Sequence, residues 1–478
     1  MSNLTITVAR GDGVGPEITE AVLQILEAAG APLDFEYVEI GENVYNSGIS
    51  SGISKDAWNK IKKNKILLKA PITTPQGKGY KSLNVTFRKS LGLFANVRPV
   101  VSYHPFVRSL HPKMDIVIVR ENEEDLYAGI EYRSTQSSLL SLKLISIQGC
   151  QKIIRYAFEY ARSAGRKKVT CMSKDNIMKM TDGTFHLLFK SIAQEYPEIE
   201  ADHYIIDIGS ARIAAKPEIF DVIVTLNLYG DIISDIASEV SGSVGMAGSA
   251  NIGTNYAMFE AVHGSAPDIA GRNVANPSGL LNASILMLEY LGQMDVGTKI
   301  RNAWLNVIES GIHTADIYDS ETSAEKVSTS KFAAAVVRCL GREPKQLSAA
   351  VSSNSAKVNI VTQMPHNETQ ELIGIDVYIQ DTDLGVNKMA DIAKAASSVL
   401  SLQTISQRGL IVWPEAEVED TGSYMMRLRF FASDNVQLTE LDLIELQRYL
   451  LESKIRIAMT HTLYEYSGAP GFTKSQGE

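Results

Sequence analysis

The 478-residue chain is 45% hydrophobic and 21% charged, ordinary for a globular protein and enough material for roughly two to four domains. Its net charge of −9, from 46 Lys and Arg against 55 Asp and Glu, argues against nucleic acid or an anionic membrane as partner. The three cysteines, Cys150, Cys171 and Cys339, form no CxxC pair, and no basic leader or long apolar segment is read, so buried thiols in a reducing, cytoplasmic compartment are expected.

The chain opens with a strand-like run, LTITVA, then the turn RGDGVGPE, then a helix with apolar periodicity ending at Gly30. Gly11, Gly13 and Gly15 lack the GxGxxG spacing of a dinucleotide fingerprint and read as a tight strand-to-helix turn. Further strand-like runs follow: KILLKAP, MDIVIVR, KVTCMS, ADHYIID and DVIVTLN. Their alternation with helical segments predicts an α/β fold with helices on both sheet faces.

Chemistry-bearing residues punctuate this pattern. SLNVTFRKSLGLFANVRP and VIVRENEEDLYAGIEY bring Ser82, Asn84, Arg88, Arg98, Arg120 and Tyr127 close in an acidic chain. Guanidinium groups cannot shed charge and bind carboxylates through paired hydrogen bonds, so as a set they suit a small polycarboxylate. Taken singly, each arginine is equally a surface partner of a local acid. Lys174 directly follows the strand KVTCMS, where α/β sheets place functional groups. It is an ordinary solvated charge unless a phenol such as Tyr127 joins it in proton transfer.

Asp231 and Asp235 follow the strand DVIVTLN, on a helix expected to start near Gly230. Four residues apart, they share one face and repel slightly, so a divalent cation such as Mg²⁺ or Mn²⁺ would resolve the conflict. Two solvated aspartates at a helix start are the plainer alternative. FEAVHGSAPDIAGRNVANPSGLL then reads as a tight loop rich in backbone donors ending on a helix at Ser278, where His263 alone is more often structural than a ligand.

GREPKQLSAAVSSNSAK, residues 341–357, has linker composition. Beyond it, residues 358–478 read strand, helix, two strands, helix, strand, a separate α+β domain of βαββαβ order.

In this order, SLNVTFR, RENEEDLYAGIEY, KDNIMKMTDG, NLYGDIISD and HGSAPDIAGRNVANP resemble the isocitrate and isopropylmalate dehydrogenase family of β-decarboxylating dehydrogenases, from about residue 5 to 340. The Ser82-x-Asn84-x3-Arg88 pattern resembles the isocitrate branch, and the C-terminal extension resembles that of a bacterial subgroup. The resemblance implies a non-Rossmann fold with a large domain from residues 1–95 and 242–340 and a small domain from 96–241. It implies that Arg88, Arg98 and Arg120 grip the carboxylates of isocitrate, with Ser82 and Asn84 reading the γ-carboxylate. Asp231 and Asp235 would hold Mg²⁺ or Mn²⁺, joined by Asp207 from a second subunit. Lys174 would cross from that subunit too, making a homodimer with shared active sites.

Tyr127 and Lys174 would be the catalytic pair. Thr73, Thr74 and Asn84 would line the nicotinamide side, and His263, Gly264, Ser265, Ala266, Asp268, Ile269 and Asn276 the rest of the cofactor. The NADP enzymes of the family have a Lys-Tyr pair after the HG[ST]AP motif, where this chain has Asp268 and Ile269. Ser330 and Ala334 stand where a Tyr-x3-Arg pair would be. A carboxylate accepts from ribose hydroxyls and repels a 2′-phosphate, so NAD is the expected cofactor. The alternatives are an NADP-dependent isocitrate enzyme, a family member acting on isopropylmalate, homoisocitrate or tartrate, and a silent regulatory subunit. The last would have lost Tyr127, Lys174 or an aspartate, and none is missing.

Overall fold

The computed structural model describes residues 3–74, 82–351, 360, 368–380, 384–415 and 425–475. Two compact units result, Met1–Tyr127 with Leu144–Gln363, and Ala128–Lys143 with Met364–Glu478. The strands of the first unit are β1 (Leu4–Ala9), β2 (Leu33–Val38), β3 (Ile66–Lys69), β4 (Ala95–Val101) and β5 (Asp115–Glu121). After a hairpin, β6 (Glu131–Arg133) and β7 (Leu139–Ser141), come β8 (Lys168–Ser173), β9 (Glu200–Ile205), β10 (Val222–Thr225), β11 (Gly248–Ile252) and β12 (Ala257–Ala261).

Ten of these form one sheet in the order β2-β1-β3-β12-β11-β4-β5-β10-β8-β9. Its flanks are parallel, while the β12-β11-β4-β5 centre is antiparallel. Strands from the segments 1–95, 96–241 and 242–340 therefore share a single sheet. The α/β class of the sequence is present, as a mixed sheet. β2, β4, β11 and β12 went unread, because the apolar runs of ANVRPVV and GSANI are broken by Asn, Arg and Ser that turn out to be buried and paired.

The glycine turn is a packing device. Gly13 has φ +59, and a Cβ there would lie 2.0 Å from the Ser265 carbonyl oxygen, so only glycine lets Val14 N–H donate to that oxygen at 2.9 Å. The turn thus joins the Thr73 and Ser265 loops. Asp12, pushed upward in pKa first by burial, accepts from the Thr73 backbone N–H at 2.9 Å, and the Thr73 and Ser265 hydroxyls lie 2.9 Å apart.

The first unit also carries the short pair β13 (Ile312–His313) and β14 (Glu325–Lys326). The second unit holds β15 (Gln370–Ile379), β16 (Leu400–Gln407), β17 (Leu410–Trp413), β18 (Met426–Ala432), β19 (Ile457–Tyr466) and β20 (Ala469–Pro470). They form an antiparallel sheet ordered β17-β16-β18-β15-β19-β20. With helices Val386–Lys394 and Glu440–Glu452, the βαββαβ core is present. TISQRGLIVWP is two strands rather than one, turning at Arg408 and Gly409, both at positive φ. Ala128–Lys143, expected inside 96–241, groups with this second unit. Much of the expected linker, residues 352–357, lies outside the described residues.

Candidate active site

The site is built on one polar row across the centre of the sheet. Lys69 on β3 lies opposite Glu260 on β12, Asn251 on β11 opposite Asn96 on β4, and Asn96 opposite Arg120 on β5. Opposed residues of neighbouring strands point to the same face, so strand pairing alone collects these groups. All are almost fully buried.

Arg120 is the anchor. Its Nε and Nη2 donate to Asn227 Oδ1 at 3.1 and 2.8 Å, and its Nη1 donates to Asp231. Its guanidinium lies 4.9 Å from the Tyr127 ring centre. Burial, with Arg88 and Arg98 adding, works against its charge, and Asp231 works for it. The helix Asn227–Ser241 reaches Arg120 because residue 230 is glycine: a Cβ there would sit 2.5 Å from Arg120 Cγ. That helix starts three residues before the expected Gly230. Asp125 accepts from the Leu228 backbone N–H at 2.9 Å, satisfying one of the helix's open donors.

Arg98 donates from Nε to Asn96 Oδ1 and from Nη1 to Ser234 Oγ, both at 2.6 Å, and lies 3.4 Å from Asp231 and 3.7 Å from Asp235. Arg88, on helix Leu83–Ser90, donates to Glu260 Oε1 at 3.1 Å, while its buried Nε has no partner among the described residues. Asn84 on the same helix has a buried Oδ1 equally without a partner, and Ser82 precedes the helix without capping it. The three arginines are therefore not surface charges.

Tyr127 O–H donates to Asp231 Oδ2 at 2.5 Å. Burial first, then this bond, raises the phenol, so it stays protonated at neutral pH. Asp231 would be raised by burial, but Arg120, Arg98 and the phenol hold it below the carboxylate range. The repulsion expected between Asp231 and Asp235 is thus outweighed by arginines the helix itself does not carry. Asp231 and Asp235 still present oxygen ligands on one helical face, with Asp235 66% exposed, a donor set that suits Mg²⁺ or Mn²⁺.

Lys174 and Asp207 stand apart from this cluster. Lys174 Nζ donates to Asp207 Oδ1 at 2.9 Å, and its backbone N–H donates to the buried Asp182 at 2.7 Å. Asp207, read as strand, opens helix Ile206–Ala215. Among the described residues no hydrogen bond or ion pair links Lys174 or Asp207 to Tyr127, Asp231 or Asp235. Beside Lys174, Asp175, His186 and His203 place three ligand atoms within 4.8 Å. The imidazoles stack 3.6 Å apart at 17°, so their lone pairs cannot converge on one ion.

Of the residues expected to hold a dinucleotide, Thr73 and Ser265 meet through their hydroxyls, with Thr74 next in the chain. His263 Nδ1 lies 3.0 Å from the Gly264 carbonyl oxygen, its Nε2 is buried without a partner among the described residues, and burial disfavours its charged form. A neutral imidazole donating through Nδ1 leaves Nε2 an open acceptor, as a ligand hydroxyl or amino group requires. Ala266 takes positive φ, and Gly264 is exposed. Asn276 donates to Asp316 at 3.0 Å and accepts from Ser278 N–H at 2.9 Å, a loop-holding role. Asp268 is exposed and Ile269 packs on the core. Arg272 is also exposed, its backbone N–H donating to the Ile269 carbonyl. Ser330 accepts from Asn273 Nδ2 at 2.9 Å, so the loop and the following helix do meet. Sequence reasoning missed Lys69, Asn96, Asn251 and Glu260. A charged residue at the end of each apolar run ILLK and AMFE was the available signal.

Residues 5–336 match the isocitrate/isopropylmalate dehydrogenase family, and residues 370–478 match the bacterial isocitrate dehydrogenase C-terminal domain. The isocitrate dehydrogenase [NADP] of Rickettsia bellii is 54% identical over 99% of both chains. That of Thermus thermophilus is 41% identical over 99% of this chain and 96% of its own. A crystal structure of a Thermus thermophilus protein, 40% identical, superposes with a TM-score of 0.91 over 99% of this chain and 96% of that one.

These names overturn the expectation of NAD. The sequence argument took Asp268 to face the ribose and repel a 2′-phosphate. Asp268 is exposed, where water and salt weaken its repulsion, and Arg272 closes the next turn of the chain. The chain belongs to the isocitrate/isopropylmalate dehydrogenase family and carries the C-terminal domain of bacterial isocitrate dehydrogenases.

Proposed function

We propose that this chain is an NADP-dependent isocitrate dehydrogenase, oxidatively decarboxylating isocitrate to 2-oxoglutarate and CO₂ as in the tricarboxylic acid cycle. The observation that carries the reading is the buried arginine triad. Arg88, Arg98 and Arg120 are buried and near enough to disfavour one another's charge, and among the described residues Arg88 Nε and Asn84 Oδ1 have no partner. A cluster of buried guanidinium groups, one with an open donor, suits a substrate with several carboxylates.

Arg88, Arg98 and Arg120 would bind the carboxylates, with Ser82 beside the γ-carboxylate. Asn84 Oδ1 is an acceptor, which suits a carboxamide such as that of the nicotinamide; turning the amide over offers its NH₂ to a carboxylate. Asp231 and Asp235 would hold Mg²⁺ or Mn²⁺ with Asp207 of a second copy, and Lys174 would enter from that copy. The Lys174–Asp207 pair, unbonded to the rest of the site within one chain, supports this division. When bound, the metal supplies Lewis acidity toward the substrate oxygens and NADP accepts the hydride. Lys174 would take the 2-hydroxyl proton. The β-keto acid loses CO₂, and Tyr127, protonated at neutral pH, would deliver a proton to C3. The arginines hold the carboxylates throughout and keep C2 and C3 in place.

The test is turnover of isocitrate and isopropylmalate with NADP and Mg²⁺. Isocitrate should be oxidised, and isopropylmalate should be about five- to a hundredfold slower, because a buried polar group facing its isopropyl arm costs about 1–3 kcal/mol. Equal turnover of the two, or none with NADP, would overturn the reading.

A further inference from the structure

Two of the three arginines are connected to each other by a continuous chain of buried hydrogen bonds. Arg88 Nη2 donates to Glu260 Oε1 at 3.1 Å. Asn251 Nδ2 donates to the same oxygen at 2.9 Å and to the Met258 carbonyl at 3.3 Å. Asn251 Oδ1 accepts from Asn96 Nδ2 at 2.9 Å and from Asn122 Nδ2 at 3.0 Å. Asn96 Oδ1 then accepts from Arg98 Nε at 2.6 Å.

Asn251 stands at the middle of this chain. Both its donors and both its acceptor positions are used, so its amide has one orientation only. It is fully buried, as is Asn96, and Asn122 and Glu260 are nearly so. A buried amide in this polar row costs stability unless it is satisfied, whereas an apolar pair would carry no such cost itself. What an apolar pair could not do is orient. With Asn251 in place, the Glu260 oxygen that meets Arg88 and the Asn96 oxygen that meets Arg98 are set by one side chain.

We propose that Asn251 is a positioning residue for the substrate, fixing the separation and tilt of Arg88 and Arg98 through Glu260 and Asn96. The inference rests on the reading that these arginines grip the substrate carboxylates. Rigid spacing matters because two guanidinium groups must meet two carboxylates of one small molecule at once, and freedom in either is lost on binding. Asn251 itself touches neither substrate nor cofactor in this account.

The experiment measures isocitrate and NADP binding by calorimetry in the full-length protein carrying Asn251→Ala, and separately Asn251→Ser, with the fold checked by thermal melting. Isocitrate Kd should rise about tenfold, the effect of one or two lost buried hydrogen bonds, while NADP Kd changes less than about twofold. Glu260→Gln and Asn96→Ala, which share no direct contact, should be non-additive for isocitrate binding in the native background and additive once Asn251 is alanine. A merely structural asparagine would weaken both ligands alike, or lower the melting temperature without changing isocitrate Kd, and either outcome overturns the proposal. Additivity in the native background also overturns it. Native protein that binds isocitrate, with variants that bind it equally well, rejects the inference alone. Native protein that binds no isocitrate rejects the functional reading and the inference with it.

Discussion

Lys69 and Glu260 lie opposite each other on neighbouring parallel strands, with Nζ and Oε2 2.8 Å apart and each side chain less than 5% exposed. Arg88 shares the same carboxylate. Burial would raise the Glu260 pKa, but Lys69 and Arg88 outweigh it and hold the carboxyl far below its ordinary value. A single buried anion thus pairs with both a strand lysine and the Arg88 guanidinium.

Glu260→Gln should therefore destabilise the first unit by about 3–5 kcal/mol at neutral pH, since it leaves two buried cations without their counter-charge. The folded pKa is depressed, so the contribution is present above the ordinary value of 4.5 and is lost as pH falls below it. Urea titrations at pH 7 and near pH 3 should show the gap between native and variant narrowing at the lower pH. A constant gap would mean that the charge of Glu260 does not matter.

Asp231→Asn and Asp235→Asn should separate in stability. Asp231 joins Arg98, Arg120 and Tyr127, so its loss should cost about 1–2 kcal/mol, discounted because 36% of its side chain is exposed. Asp235 is 66% exposed and should be near neutral. Both variants should need far more Mg²⁺ or Mn²⁺ for turnover, if any is restored. Equal melting temperatures would show that Asp231 is not the hub of the arginines.

Tyr127→Phe should lower isocitrate turnover and leave reduction of an added β-keto intermediate less affected, because only the first needs a proton at C3. Equal loss in both partial reactions would reduce the phenol to a packing and orienting group beside Arg120.

Lys174→Met and Asp231→Asn chains, each inactive alone, should regain part of the native activity when refolded together. In a mixed dimer one site would take its lysine from one copy and its intact Asp231 from the other. Verified mixed dimers without activity would place the whole site within one chain.

Arg272→Ala should raise the KM for NADP about tenfold or more, the effect of losing one charge-assisted hydrogen bond to the 2′-phosphate, with little change in the KM for isocitrate. An unchanged KM for NADP would assign the phosphate to another cation.

The residues of the candidate site could be picked out in the sequence because they sit in short local motifs. Ser82, Asn84 and Arg88 share a helix and its preceding turn, and Asp231 and Asp235 share a helical face. The α/β alternation and the C-terminal βαββαβ order were legible for the same local reason. The cofactor choice was misread because two changed residues were taken to fix a contact that depends on where an exposed turn points.

What only the tertiary structure decided is the row beneath the site. Arg88 and Glu260 are 172 positions apart, and Asn96 and Asn251 are 155 apart. Asn96 and Asn251 meet through strand order and register, which turn opposed residues to one face, while Arg88 reaches Glu260 from the helix Leu83–Ser90. No local pattern encodes that pairing, so Asn251 reads in the sequence as a polar break in a strand and in the folded sheet as the link between two arginines.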